Sequence, residues 1–273
     1  MKLIIDSGST KMHLCLLAPD GSHHQWERPG VNALTASPEE LRAIFSNEEW
    51  PRLRRVYFYG AGMTGTDVRD KITGALPPAD LCPEIESDLL GAARALFPGG
   101  QRGIACILGT GSNSGLFDGR AITRNIPPLG FIIGDEGSGT SIAKNFLRRL
   151  YRGEYPPELL TLFEQELGLT YADVLQGVYR RPAANRFLAS LTRFIKSHID
   201  SFPALRETVI ESFDSFQTNV TARYGERRIG FIGGIAVAFR EELLRVFSPQ
   251  YQIIDIQERP MDGLIKYHSL QPL

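Results

Sequence analysis

Two short glycine turns carry the residue types best suited to holding a phosphate. Asp6-Ser7-Gly8-Ser9-Thr10 and Gly109-Thr110-Gly111-Ser112-Asn113 each leave one β-forming run and lead into another. Glycine lets a backbone come close to an anion, and successive N–H groups form a nest that needs no charged side chain. The adjoining hydroxyls add donors. A tight hairpin would use the same Gly, Ser and Asn residues, so it is the matched pair of turns that favours ligand chemistry. Asp6 ends a run that reads as buried, where a carboxylate is costly unless it is paired or meets a hard cation. A hydrated Mg²⁺ would supply that partner, and capping of the turn is the plainer role.

Three further segments hold candidate groups. Gly134-Asp135-Glu136-Gly137-Ser138-Gly139 precedes a helix, so its amides could meet an anion and Asp135 a polyhydroxyl ligand; an N-cap and turn is the alternative. Gly233-Gly234 follows an apolar strand and would either let a flat ring approach backbone or allow close helix–strand packing. Glu86-Ser87-Asp88 opens a helix, where Ser and acidic residues serve as caps. Gly60-Ala61-Gly62-Met63-Thr64-Gly65 satisfies the dinucleotide fingerprint literally, with Glu84 and Glu86 about 20 residues on. The acidic residue of that fingerprint should end a strand, however, and Pro83–Ser87 reads as running straight into a helix, which argues against a nicotinamide site. No Walker A loop is present.

The elements that must position these groups follow from periodicity and breakers. Lys2 to Ile5 reads as a strand, the first turn interrupts, and Met12 to Ala18 resumes until Pro19-Asp20-Gly21 closes a hairpin. Gly103 to Leu108, the second turn, Ser114 to Phe117 and Asp118-Gly119 repeat the plan, an internal duplication that predicts two related domains. Between them the pattern predicts a strand at Arg55–Tyr59 and helices at Asp67–Leu76 and Ser87–Leu96, with Pro98-Gly99-Gly100 as a boundary. We expect an N-terminal domain over 1–102 and a C-terminal domain over 103–273 with a helical insertion, the last helix being free to pack on the N-terminal domain. That insertion reads as helices over Ser141–Tyr151, Pro157–Leu167, Tyr171–Tyr179, Ala183–Ile199 and Pro203–Tyr224. A strand at Arg228–Ile232, a helix at Val237–Phe247, a strand at Gln252–Ile256 and a short helix complete the chain.

Composition narrows the classes. The 273 residues are 42% hydrophobic and 22% charged with a net charge of -1, so no long-range field attracts polyanions, and nucleic acid is not an expected partner. Met1–Asp6 turns polar too soon for a signal peptide, and no run approaches the roughly 20 residues of a membrane span. A cytoplasmic protein is expected. Cys15, Cys82 and Cys106 are odd in number and widely spaced, which reads as core thiols and not as a zinc or iron–sulfur ligand set.

Taken in order, DSGST at Asp6–Thr10, Ser87-Asp88, GTGSN at Gly109–Asn113, GDEGSG at Gly134–Gly139 and FIGGIA at Phe231–Ala236 resemble the N-acetylglucosamine kinase family, which stands with the BadF/BadG/BcrA/BcrD-type ATPases in the actin-like ATPase superfamily. The likeness spans nearly the whole chain. It implies an α/β fold of two ribonuclease-H-like domains with ATP in a central cleft. By the same resemblance Asp6 looks to Mg²⁺ through water, Gly8, Ser9, Thr10 and Lys11 face the phosphates together with Gly109, Thr110, Gly111 and Ser112, and Gly233 and Gly234 lie by the adenosine. Asp88 is the implied base on the sugar's 6-hydroxyl, while Asn32, Asn113 and Asp135 hold the sugar. The implied partner is a small amino sugar, and a homodimer is the usual arrangement of such proteins. Two other readings stay open: an ATPase activator of a CoA-ester reductase, which would need cluster-binding cysteines that this sequence lacks, and a nucleotide- or sugar-binding sensor without turnover.

Overall fold

Leu3, Ile4 and Ile5 are fully buried because their strand is covered on both faces, which explains why this run is apolar without alternation. The computed structural model describes residues 1–8, 11–30, 36–46, 49–63 and 65–271. The chain divides into two compact units: Met1–Arg102 with Phe117–Thr123 and Arg259–Leu273, and Gly103–Leu116 with Arg124–Glu258.

Unit 1 is built on β1 (Lys2–Ser7), β2 (Lys11–Leu17), β3 (His23–Pro29), β4 (Arg55–Gly60) and β5 (Glu84–Ser87), in sheet order β3-β2-β1-β4-β5. The three-strand meander is antiparallel, and β4 and β5 join it in parallel. Helices α1 (Pro38–Phe45) and α2 (Thr66–Thr73) lie in its connections, and α3 (Asp88–Leu96) follows β5 directly. Leu3, Ile5, Met12, Leu14, Val56 and Phe58 form the core of one face. The other face meets α3 and the C-terminal helix α13 (Met261–Leu270) through a polar network: Arg94 Nη1 donates to Tyr59 Oη at 2.8 Å, and Tyr59 Oη lies 2.9 Å from His268 Nε2. Lys2 Nζ, also buried, donates to the His268 and Gln271 carbonyls and so closes the end of α13.

A second sheet, most of it in unit 2, repeats the first. Its strands β6 (Gly103–Leu108), β7 (Ser112–Phe117), β8 (Ile122–Asn125), β9 (Arg228–Ile232) and β10 (Gln252–Gln257) stand in the order β10-β9-β6-β7-β8, which matches β5-β4-β1-β2-β3. The expected duplication is therefore present at the level of topology. Between β8 and β9 run α4 (Gly130–Ile133), α5 (Gly139–Tyr151), α6 (Pro157–Leu167), α7 (Tyr171–Tyr179), α8 (Ala184–Ser190), α9 (Thr192–His198) and α10 (Pro203–Asn219), with a 3₁₀ turn at Thr221–Tyr224. Helices α11 (Gly234–Ala238) and α12 (Arg240–Phe247) separate β9 from β10.

Four expectations are corrected. Cys82, expected with Cys15 and Cys106 to be a core thiol, is exposed, while the other two are buried. The single helix over Ala183–Ile199 is two, because Ser190 Oγ and Thr192 Oγ1 take the Phe187 and Ala189 carbonyls at 2.7 and 2.6 Å and interrupt the backbone ladder. The helix over Val237–Phe247 breaks at Phe239, whose buried ring draws the chain out of helical geometry (φ -113°, ψ 39°). Glu84–Ser87 is a strand parallel to β4, so the acidic residues after the Gly60–Gly65 motif do stand in a βαβ unit. The reason given for setting that motif aside fails, although Glu84 is engaged by Arg94 at 2.5 Å and Glu86 by Arg69 at 3.5 Å.

Candidate functional site

In unit 1 the antiparallel register aligns Asp6 on β1 with His13 on β2, and His13 with Glu27 on β3. A row of three titratable side chains thus crosses the sheet at one level. Arg259, just before α13, reaches this row: its Nη1 donates to His13 Nε2 at 2.6 Å and to Glu27 Oε1 at 2.5 Å. Lys11 Nζ donates to the other Glu27 oxygen at 2.7 Å. The two cations, Lys11 first, hold the Glu27 carboxyl down to about 2. A guanidinium can only donate, so His13 accepts at Nε2, and burial and then Arg259 hold its imidazole below the usual value. His13 Nε2 and Glu27 Oε1 also stand 3.1 Å apart, with Arg259 Nη1 donating to both.

Asp6 and Asp88 form an acidic pair. Ser87 caps α3 by accepting from Leu90 N–H at 3.1 Å, which leaves Asp88 as the first helical residue, its Oδ1 accepting from Leu89 N–H at 2.8 Å. Burial raises the Asp88 carboxyl. Asp6 is raised to about 7, first by burial and then by the charge of Asp88, with Arg259 opposing. Two hard oxygen donors, one of them held near neutrality for want of compensating charge, suit a divalent cation such as Mg²⁺, which keeps several waters and needs few protein ligands. Among the described residues no group of three or more His, Cys, Asp or Glu side chains converges on a metal site. In the turn itself Gly8 N–H donates to Lys11 O at 2.9 Å. Ser9, Thr10 and Asn32, expected at the phosphates and the sugar, lie outside the described residues.

In unit 2 the corresponding turn is made of backbone. Gly109 N–H donates to Gly111 O at 2.9 Å, and the first amides of α5, Gly139 and Thr140, donate to the Gly109 and Thr110 carbonyls at 2.9 and 3.2 Å. Ser138 caps α5 by accepting from Ser141 N–H. The amides after GDEG are thus committed to the turn, and the cap reading of Ser138–Gly139 holds over an anion site there. Asp135 is buried in a left-handed conformation (φ 58°), with its amide on Pro128 O at 2.8 Å and its carboxylate accepting from Ser112 N–H. A Cβ on Gly111 would come within 2.8 Å of Asp135 Oδ2, so glycine is what allows the carboxylate to close on the turn. Burial raises Asp135, against Ser112 and the charge of Lys144. Asn113 Oδ1 accepts from Ser114 N–H and Asn125 Nδ2, both at 2.9 Å, so Nδ2 is the end that can still donate.

The Gly233-Gly234 pair divides between its two readings. Gly233 has φ 130°, and a Cβ there would stand 2.1 Å from Leu108 O, so it serves close backbone packing at the end of β6. A Cβ on Gly234 would meet nothing within 4 Å, which leaves that backbone open to a ligand. Unit 2 therefore gathers Gly109–Asn113, Asp135 and Gly233 around the carboxyl end of β6. Unit 1 gathers Asp6 and Asp88 with three residues that the sequence reading did not single out: His13, Glu27 and Arg259. His13 and Glu27 were findable by laying out the hairpin registers; Arg259, more than 200 positions away, was not.

Comparison with known proteins bears on the chain as a whole. No family model matches the chain, and no curated protein matches it. Among solved structures, one from Porphyromonas gingivalis provisionally assigned as an N-acetylglucosamine kinase is 41% identical, covers 98% of this chain and 99% of its own, and superposes with a TM-score of 0.89. A second of the same provisional assignment, from Chromobacterium violaceum, is 20% identical over 99% and 98% of the chains with a TM-score of 0.74. A ROK family glucokinase from Streptomyces griseus, solved with glucose and AMPPNP, shares the fold at 14% identity over 98% of each chain, with a TM-score of 0.56.

Proposed function

This chain belongs to the N-acetylglucosamine kinase family of actin-like sugar kinases, and we propose that it transfers the γ-phosphoryl group of ATP to the 6-hydroxyl of an amino sugar, N-acetylglucosamine first among the candidates. The observation that carries this reading is the acidic pair of unit 1, Asp6 and Asp88, beside a glycine turn, in a sheet whose repeat in unit 2 presents a second such turn with Asp135.

Asp88 is the general base of this reading. Its place at the first turn of α3 fixes one oxygen on Leu89 N–H, and the other accepts the proton of the attacking hydroxyl; such a base contributes about 10²–10⁴-fold. Burial raises its carboxyl, which favours proton uptake during transfer. Asp6 would hold Mg²⁺, which when bound offsets charge on the phosphoryl oxygens. The Lys11 ammonium of unit 1, and in unit 2 the Thr110 and Gly111 amides beside the N–H groups of Gly109 and Ser112 that the turn and Asp135 take up, are the donors this reading offers to phosphate, the kind of preset electrostatics on which phosphoryl transfer mainly depends. Asp135 and the Nδ2 of Asn113 offer an acceptor and a donor to sugar hydroxyls, and Gly234 offers open backbone to the adenosine.

The test is coupled ADP release with Mg-ATP against N-acetylglucosamine, N-acetylmuramic acid, glucosamine, N-acetylmannosamine and glucose. Sugar-stimulated turnover, greatest on an N-acetylated amino sugar, is the expected result. ATP binding without stimulation by any of them would overturn the kinase reading and favour a sensor.

A further inference from the structure

Arg259 is half-satisfied in a way that points outward. Both of its recorded hydrogen bonds use Nη1, on His13 Nε2 and Glu27 Oε1, and among the described residues Nε and Nη2 have no partner. Its side chain remains 41% exposed. The Nε/Nη2 edge is the planar fork with which arginine takes two oxygens of a phosphate. The fork is also held in place: His13 accepts from Nη1 as a neutral ring, and Glu27 divides its two oxygens between Arg259 and Lys11, so that one carboxylate steadies two cations. The row Asp6–His13–Glu27 sets this arrangement beside Asp6, which Arg259 reaches electrostatically.

We propose that Arg259 is a phosphate-binding residue of unit 1, its Nε/Nη2 fork taking oxygens of the β- or γ-phosphate of the nucleotide while Nη1 stays on His13 and Glu27. Glu27 is then a positioning residue for both cations. The inference rests on the nucleotide half of the proposed function and not on the identity of the acceptor.

The test measures binding of Mg-ATP, ADP and AMP by calorimetry to the wild type, Arg259→Gln and Arg259→Lys. Loss of a charge-assisted contact predicts that Arg259→Gln weakens ATP by about tenfold or more, while AMP, which lacks the outer phosphates, changes by less than about twofold by the same reasoning. Arg259→Lys keeps the charge, loses the fork, and recovers only part of the ATP affinity. A merely structural arginine would weaken all three nucleotides alike. That result, or an unchanged ATP affinity in Arg259→Gln, overturns the proposal; if Arg259→Gln does not fold, the same ATP-against-AMP comparison in Arg259→Lys decides. Failure of every sugar to stimulate turnover, with this binding pattern intact, would sink the kinase reading alone.

Discussion

The turn after β1 and the turn after β6 occupy the same position in the same five-stranded topology, yet they are furnished differently. In unit 1 the turn is ringed by titratable side chains: Asp6 and Asp88 as an acidic pair, and His13, Glu27, Lys11 and Arg259 as a linked row. In unit 2 it is a lattice of main-chain bonds, Gly109 to Gly111 and α5 to Gly109 and Thr110, with Asp135 drawn in by Ser112 N–H. A repeated fold dictates where groups can stand, and the local residues decide whether that place carries proton chemistry or a rigid cradle. The helical block is a further difference, since among the described residues unit 1 has only α1 where unit 2 inserts α4 to α10.

The contrast predicts that unit 1 substitutions change chemistry at small structural cost and unit 2 substitutions do the reverse. Asp6→Asn should reduce turnover by about a thousandfold or more, as loss of metal-mediated charge stabilisation does. The same change should stabilise the nucleotide-free protein. A carboxyl raised to about 7 binds its proton more readily in the folded state, so stability declines as pH rises from the ordinary carboxyl range toward 7, and the amide removes that loss. Thermal melts at pH 8 should show the variant higher by a few degrees, corresponding to about 1 kcal/mol. A variant both inactive and less stable would break the comparison.

Gly233→Ala in unit 2 is expected to cost about 3 kcal/mol, because its Cβ would collide with Leu108 O in a backbone conformation that alanine avoids. Urea unfolding measures it, and loss below about 1 kcal/mol would show that the cradle yields. A smaller effect sharpens the picture of unit 1. His268 is driven down to about 3 by burial first, then by Arg94 and Lys2, so the unfolded chain takes up a proton below the ordinary imidazole value while the fold does not. Stability should fall as pH drops from about 6.5 toward 3, by about 2 kcal/mol near pH 5, and His268→Gln should flatten that slope in urea titrations. An unchanged slope would remove His268 from the acid response.

Much of this was legible in the chain because strands flanking glycine turns announce themselves by composition, and Arg228–Ile232, Pro157–Leu167 and Tyr171–Tyr179 have the boundaries that periodicity predicts. Helix α1 went unread although Ser37 and Glu40 form a capping box, a local signal that was present. The strand β5 was hidden for a different reason: four residues ending in the cap of α3 carry no period of their own, and only pairing with β4 makes them a strand. Asp6, Asp88 and Asp135 could be named from motifs, but not their raised protonation, which comes from burial in each and, at Asp6, also from the charge of Asp88. Arg259 depends on a return of the chain to β2 and β3 that no local pattern encodes.

The central claim is that Asp88 takes the acceptor's proton. Asp88→Asn keeps an oxygen for Leu89 N–H and removes the base, so initial-rate measurements with saturating Mg-ATP and the sugar chosen by the panel isolate that role. The account predicts a fall in kcat of about 10²–10⁴-fold with ATP affinity unchanged. Turnover within a few-fold of the wild type would contradict it.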